Sequence, residues 1–492
     1  MTALMAVAAN ATDRQTVVYQ NQFQTSHWQN SFTLDKSLFA DLQTGDVLWV
    51  LAAKDETSIG YDDNNDGTAT DHAWYQLSVS IPTSGSWTDI VNSADMANVP
   101  YWSTTLTEGQ VSSIKADGLA FAGHCVYVKA VAFGSTFATT AVQHWDSSSN
   151  AWSTEGFTIS SDKDTWASQT LNTSGQLSDA RIGDRITVNY TTTATSEWDA
   201  RVQISDATDN NNWVTLFDFP AGTKTSITFP VTADNYSRIT SGDIRIGGCN
   251  YDVTSIILET TSLYYRLSAF DDNVALANIP TQYAVNIDLY RKYDWNTTLC
   301  VPFDLASVTT AFGPTAKAYE FKEYNSGLMF TEREHIEAGK PYLMTFDMTG
   351  VEESAKTMTK TFEDVTLNTT LTNSAESGGL TFKGNYTPSF DMTGKYGVAC
   401  KDMGESAEPR WVWGFYKGAS GSKLNAFSAY FEGSIQAARL SIILDEDETT
   451  GINDNNRETI TNNGDFYSLS GQRITMPSKG LYIKDSKKII VK

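Results

Sequence analysis

Apolar and polar residues alternate with a period near two through most of this chain, and the alternating pattern occurs twice. The stretch HWQNSFTLDKSLFADLQTGDVLWV around Trp28 has a counterpart, TWASQTLNTSGQLSDARIGDRITV, around Trp166. A slide of 138 positions places Trp28 on Trp166, Asp41 on Asp179, and Gly45-Asp46 on Gly183-Asp184. A slide of 125 matches the later parts, laying Leu119, Phe121, Gly123, Val128, Val131 and Phe133 on Ile244, Ile246, Gly248, Val253, Ile256 and Leu258. The middle of the first copy is therefore about thirteen residues longer. Period-two runs between Gly, Asp, Asn and Ser clusters predict short strands at the spacing of a β-sandwich. Helical hints are brief. In LTEGQVSSIKADG, Thr107 is placed to cap a turn before the last strand pair, and VTADNYSRITSGD is its counterpart.

The pattern divides the chain into a first sandwich module at 15–135, a polar connection, and a second module at 144–261 that repeats the first. A third region, 267–445, shows no match to either copy but holds strand-like pieces such as YAVNIDLYRKY, TTLCVPFDL, KPYLMTFDM, GLTFKGNY and RLSIILD. Pro302 and Pro341 fall at strand edges, where a missing N–H is tolerated. This region is read as a separate β-sandwich. An acidic, Asn-rich linker at 446–463 leads to a basic tail, 464–492, with two or three short strands and Gly turns at Gly471 and Gly480. The expected fold class is all-β: tandem jelly-roll sandwiches, a third β-domain and a small β tail.

Composition narrows the function classes. The net charge of −23 repels a phosphate backbone, so nucleic acid is not an expected partner. Four cysteines in 492 residues do not make a disulfide scaffold. Cys125 and Cys249 sit one residue apart in the alignment and read as lone buried small residues; spacing alone does not decide whether Cys300 and Cys400 pair. The start, MTALMAVAANATDRQ, reads as the remnant of a secretory leader over 1–14, with a small-x-small pattern at Ala9-Asn10-Ala11 but no basic region before it. An ordinary disordered terminus is the alternative. No other stretch reaches the ~18 apolar residues of a membrane span.

The tail YSLSGQRITMPSKGLYIKDSKKIIVK resembles the C-terminal tails of secreted Bacteroidetes proteins of the Prevotella and Bacteroides kind, with a "GQ-R" turn, "KGLYI" and a Lys-rich end. The resemblance implies export through the type IX secretion machinery and a secreted or outer-surface location. The two copies resemble jelly-roll modules of the same bacteria. The shared marks are an early Trp (Trp28, Trp166), a Gly-Asp strand (Gly45-Asp46, Gly183-Asp184), a central Trp strand (Trp74, Trp198) and a closing hairpin (Gly118–Phe133, Asp243–Leu258). The second copy departs at Asp243, where the family has Gly. Such modules are associated with carbohydrate binding, which implies a polysaccharide or glycan partner. The third region resembles an uncharacterised module of these proteins and brings no activity with it.

Sugar recognition rests on C–H faces stacked on exposed rings, with amide, carboxylate and guanidinium groups bonding the hydroxyls. The candidate ligand residues are Trp74, Tyr75, Trp87 and Trp102 in the first copy, and Trp198 and Trp213 in the second. Core packing is the competing role for each, and Trp49, inside VLWVL, is read as core. The loop bearing Asp62, Asn64 and Asp66 opens like a calcium site, but Ala73 stands where the final acidic ligand belongs. A solvated Asx-rich turn explains the same residues without Ca2+. No other cofactor is implied. His27, His72, His124, His144 and His335 show no metalloprotease spacing, no G-x-S-x-G elbow stands out, and no carboxylate pair is singled out. The expectation is a non-catalytic polysaccharide-binding protein. A structural or adhesive surface protein is the second reading and a glycoside hydrolase the third.

Overall fold

The computed structural model describes residues 14–57, 74–83, 86–97, 99–196, 198–206, 214–403 and 411–445, and the backbone of four short strands beyond 465. Nearly all of the leader segment, the loop with Asp62, Asn64 and Asp66, Trp213, and the 446–463 linker lie outside the described residues. The protein is all-β, built from sandwiches of mostly antiparallel sheets.

Eight strands build the first module: β1 (Arg14–Gln24), β2 (Phe32–Leu34), β3 (Val47–Lys54), β4 (Gln76–Thr83), β5 (Ser86–Asp95), β6 (Tyr101–Thr105), β7 (Leu119–His124) and β8 (Val126–Gly134). One sheet runs β1-β8-β3-β6 and the other β2-β7-β4-β5, the order of a jelly roll. The alternation seen in sequence sets the packing. On β3, Leu48, Val50 and Ala52 enter the core with Leu77, Val79, Phe121 and Val128, while the intervening residues face away. The same sheet orders recur in the second module. There the strands Phe157–Ser160, Tyr251–Thr260, Arg185–Thr191 and Ser226–Pro230 form one sheet, and Ala167–Thr170, Ile244–Cys249, Arg201–Asp206 and Val214–Pro220 the other.

Local chemistry matches the repeated marks. Helix α1 (Glu108–Asp117) starts on a Thr107–Gln110 capping box and buries Val111 and Ile114. The Gly-Asp pairs are turn devices. Gly45 and Gly183 take φ of 91° and 99°, and Asp46 and Asp184 each accept a backbone N–H, from Gln43 and Arg181, at 2.7 Å.

The third region is not a body apart. Strand Ser262–Ser268 pairs in parallel with β1, with Val17 opposite Tyr265, and strands Ala284–Lys292 and Thr357–Thr366 extend the same sheet to seven strands. Val17 and Val18 are both fully buried, on opposite faces of β1. Val18 serves the first core, and Val17 and Ala132 join Tyr265, Leu267, Ile287 and Leu289 in a second. The sandwich expected at 267–445 thus shares a sheet with the first module, a continuation through long-range main-chain pairing that leaves no local mark in sequence.

Beyond this shared sheet, two five-stranded sheets face each other around Phe321, Phe330, Phe382, Phe415 and Phe431. The Phe382 and Phe431 rings stack with centroids 4.4 Å apart. None of the four cysteines is in a disulfide; Cys300 is buried and Cys400 half-buried. In the tail, four short strands, rather than two or three, form one antiparallel sheet in the order Arg473–Ile474, Phe466–Tyr467, Gly480–Lys484, Lys487–Val491. No helix among the described residues is long and apolar enough to cross a membrane.

Candidate functional site

The aromatic residues singled out in sequence have different fates. Tyr75 and Trp102 pack half-buried against the first core, and Lys54 Nζ sits 5.1 Å from the Tyr75 ring centre. Trp74 is half-buried with its ring centre 5.3 Å from that of His124. Trp49 faces away from its own module and packs against the second core. Among the described candidate ligand residues two rings remain open: Trp87 on edge strand β5 is 50% exposed, and Trp198 is 64% exposed with the Arg201 guanidinium 5.5 Å from its ring centre; the repeat marks Trp28 and Trp166 are exposed as well. Trp87 and Trp198 belong to different modules, and neither lines the cleft described next.

That cleft lies in the third region, where the sequence named no site. Strand Trp411–Lys417 projects Trp411, Trp413 and Phe415 to one side of its sheet. Phe415 is fully buried in the aromatic core, Trp413 is half-buried, and Trp411 is 67% exposed. The core-facing stripe thus runs outward past the end of the sandwich. The other wall comes from edge strand Asn296–Leu299 and Trp295 before it, which is 41% exposed. Between the walls lies a cleft of about 810 Å³, with Asn296, Lys423 and Asn425 among its polar lining.

The floor is held by charge. Arg291 is buried and donates to the carbonyls of Thr298, at 2.7 Å, and Phe427, and to Thr297 Oγ1 at 3.2 Å. Burial pushes its pKa down. At the rim, Lys356 Nζ lies 2.9 Å from both Asp294 Oδ1 and Glu353 Oε2, and Lys292 pairs with the same two carboxylates. Hydrogen bonds from Lys292 and Lys356 hold the Glu353 carboxyl down to about 2. The site therefore offers open indole faces, amide and ammonium groups, and carboxylates committed to lysines.

The missed signal was in plain view as W-V-W at 411–413, a strand alternation with indoles on one face. Its partner Trp295 is more than a hundred residues away.

No family model matches the chain, and no curated protein matches it. Among solved structures, it is similar to the Bacteroides ovatus mixed-linkage glucan utilization locus SGBP-B in complex with mixed-linkage heptasaccharide, at 17% identity and TM-score 0.19, over 24% of this chain and 30% of that one. It is also similar to BuGH86wt in complex with neoagarooctaose (9% identity, TM-score 0.16, 39% of this chain and 28% of that chain). A third match is an allantoicase, at 10% identity and TM-score 0.14, over 50% of this chain and 74% of that chain. The chain thus spans under a third of the first two proteins. Likenesses at such TM-scores bear on neither the fold nor the function of this chain.

Proposed function

We propose that this protein binds polysaccharide without cleaving it, outside the cell or on its surface, and that the tryptophan cleft of the third region is its principal site. The observation that carries the reading is the pair of open indoles, Trp411 and Trp295, on opposite walls of a cleft of about 810 Å³. Indoles clustered about one cleft form an exposed apolar patch of the kind that marks a binding site. Stacking supplies the contact area, and Asn296, Asn425 and Lys423 supply donors for hydroxyls. Trp87 and Trp198 are secondary platforms on the jelly rolls, which raise retention on a polymer by avidity.

Glu353, whose carboxyl Lys292 and Lys356 hold down to about 2, is not suited to be the general acid of a glycosidase, which needs a raised pKa. The basic tail accords with recognition by secretion machinery, and this part of the proposal rests on its sequence resemblance alone.

The test is affinity electrophoresis of the full chain on a panel of plant and host polysaccharides. The Trp411→Ala/Trp413→Ala pair is expected to lose retention, while Trp87→Ala/Trp198→Ala weakens it only modestly. Retention unchanged in the cleft double variant rejects this site. No retention of the wild-type chain on any polysaccharide favours the structural or adhesive reading.

A further inference from the structure

Where β7 turns into β8, three metal-ligating side chains converge. His27 Nδ1 lies 3.2 Å from His124 Nε2 and 3.8 Å from Cys125 Sγ, and the three ligand atoms all fall within 4.8 Å of one another. His124 and Cys125 are buried, and His27 is half-buried. A tetrahedral zinc ion, with nitrogen at ~2.05 Å and sulfur at ~2.3 Å, sets N–N edges of about 3.3 Å and N–S edges of about 3.6 Å. The observed spacings are close to both. Without metal, an imidazole–imidazole hydrogen bond accounts for the first distance and a thiol–imidazole hydrogen bond for the second.

The tautomer is settled by a neighbour. His124 Nδ1 lies 2.9 Å from the Trp74 carbonyl oxygen, which can only accept. Nδ1 therefore carries the hydrogen, and the lone pair of Nε2 is turned toward His27 and Cys125. Metal-bound imidazoles are oriented by carbonyls in this way.

The backbone of the corner is left-handed at three positions. Cys125 sits at φ 49°, and Ser26 and Trp28, on either side of His27, at φ 52° and 61°. Such left-handed residues cost of order 1 kcal/mol each when they are not Gly or Asn. The corner is held by Cys125 N–H to Ser26 O (3.0 Å), Trp28 N–H to Gly123 O (2.9 Å) and Asp55 N–H to Cys125 O (2.8 Å). In the second module Cys249 and Asn250 occupy the places of His124 and Cys125, with Asn250 at φ 58°. Asn is at ease in that conformation, so the jelly roll itself does not call for a His-Cys pair. In the first module a thiol stands at that place, 3.8 Å from His27 Nδ1.

We propose that His27, His124 and Cys125 form a binding site for a borderline-soft divalent transition metal, a donor set that suits zinc and excludes calcium. The proposal is independent of the polysaccharide reading. Binding ties β7 and β8 to the segment that follows β1, and the metal stabilises the folded module by mass action.

The experiment uses the full chain, stripped by chelator and kept under a non-thiol reductant. Zinc uptake is measured by elemental analysis after dialysis, and cobalt(II) is titrated as an optical probe. The wild type is expected to show a thiolate-to-cobalt charge-transfer band, to hold about one zinc more per chain than Cys125→Asn, and to melt a few degrees higher with zinc. Cys125→Asn puts at the left-handed position the residue that the second module carries there, so without metal it should melt at or above the wild type, show no charge-transfer band and ignore zinc. His27→Gln, at the half-buried position, serves as a second variant and should weaken zinc binding more than about tenfold. Equal zinc uptake by wild type and Cys125→Asn, a charge-transfer band that survives in Cys125→Asn, or unchanged affinity in His27→Gln each overturns the proposal.

Discussion

Val398 stands across from Phe415, and two residues outward on the same face Cys400 stands across from Trp413, in the antiparallel register of strands Tyr396–Asp402 and Trp411–Lys417. The inner pair closes the aromatic core, and the outer pair lines the cleft. One alternation thus serves packing at one end and exposure at the other. Stability and binding should separate along this strand.

Trp411→Ala is the clearest case. The ring is 67% exposed, so its removal should change stability by no more than about 0.5 kcal/mol. Losing one stacking face should weaken polysaccharide binding about tenfold, equivalent to ~1.4 kcal/mol. Isothermal titration beside a melting curve checks both; a large drop in Tm would move Trp411 from the site into the core.

Arg291 under the cleft is expected to be structural. Arg291→Met leaves the Thr298 and Phe427 carbonyls without their buried donor, which should cost about 3 kcal/mol. Arg291→Lys should recover only part of this, since an ammonium cannot span the fork of acceptors. Midpoints of urea unfolding decide the matter. A neutral Arg291→Met would mean that the floor repacks without the charge.

Asp184 predicts a pH dependence. Burial lifts its carboxyl to about 6, against the stabilising N–H bonds from Arg181 and Thr261. The folded state therefore holds this proton more tightly than the unfolded chain, whose carboxyl titrates near ~3.9. The contribution is full below about pH 4 and is lost as pH rises through about 6. The stability of the wild type relative to Asp184→Asn should fall by about 2–3 kcal/mol between pH 4 and pH 7. A difference that stays flat or grows with pH contradicts the assignment.

Two glycines separate strain from collision. A Cβ on Gly248, at φ 131°, would lie 1.8 Å from the Arg201 carbonyl oxygen, whereas one on Gly45, at φ 91°, meets nothing within 4 Å. Gly45→Ala should cost only the ~1 kcal/mol of a left-handed alanine. Gly248→Ala should cost more than about 2 kcal/mol, because strand pairing has to open. Denaturation of both variants under one buffer provides the comparison.

The sequence by itself determined what is local and periodic. Alternation on β3 and β8, the Gly-Asp turns, the Thr107 cap and the all-β class follow from residue types a few positions apart, where pleat geometry and backbone hydrogen bonding act directly. Only the tertiary structure decided which face each aromatic met. Tyr75 and Trp102 turned to a core, while Trp87 and Trp198 stayed in water, a choice set by sheet packing rather than by neighbours in the chain. Both faces of β1 were claimed because Ser262–Ser268 came back to pair with it from more than two hundred residues away. The cleft joined Trp295 to Trp411, and the β7–β8 corner joined His27 to His124 and Cys125, through contacts of the same kind. Short-range sterics write themselves into a pattern of residues. Contacts between distant strands depend on how whole sheets stack, and a single chain of letters carries no mark of that arrangement.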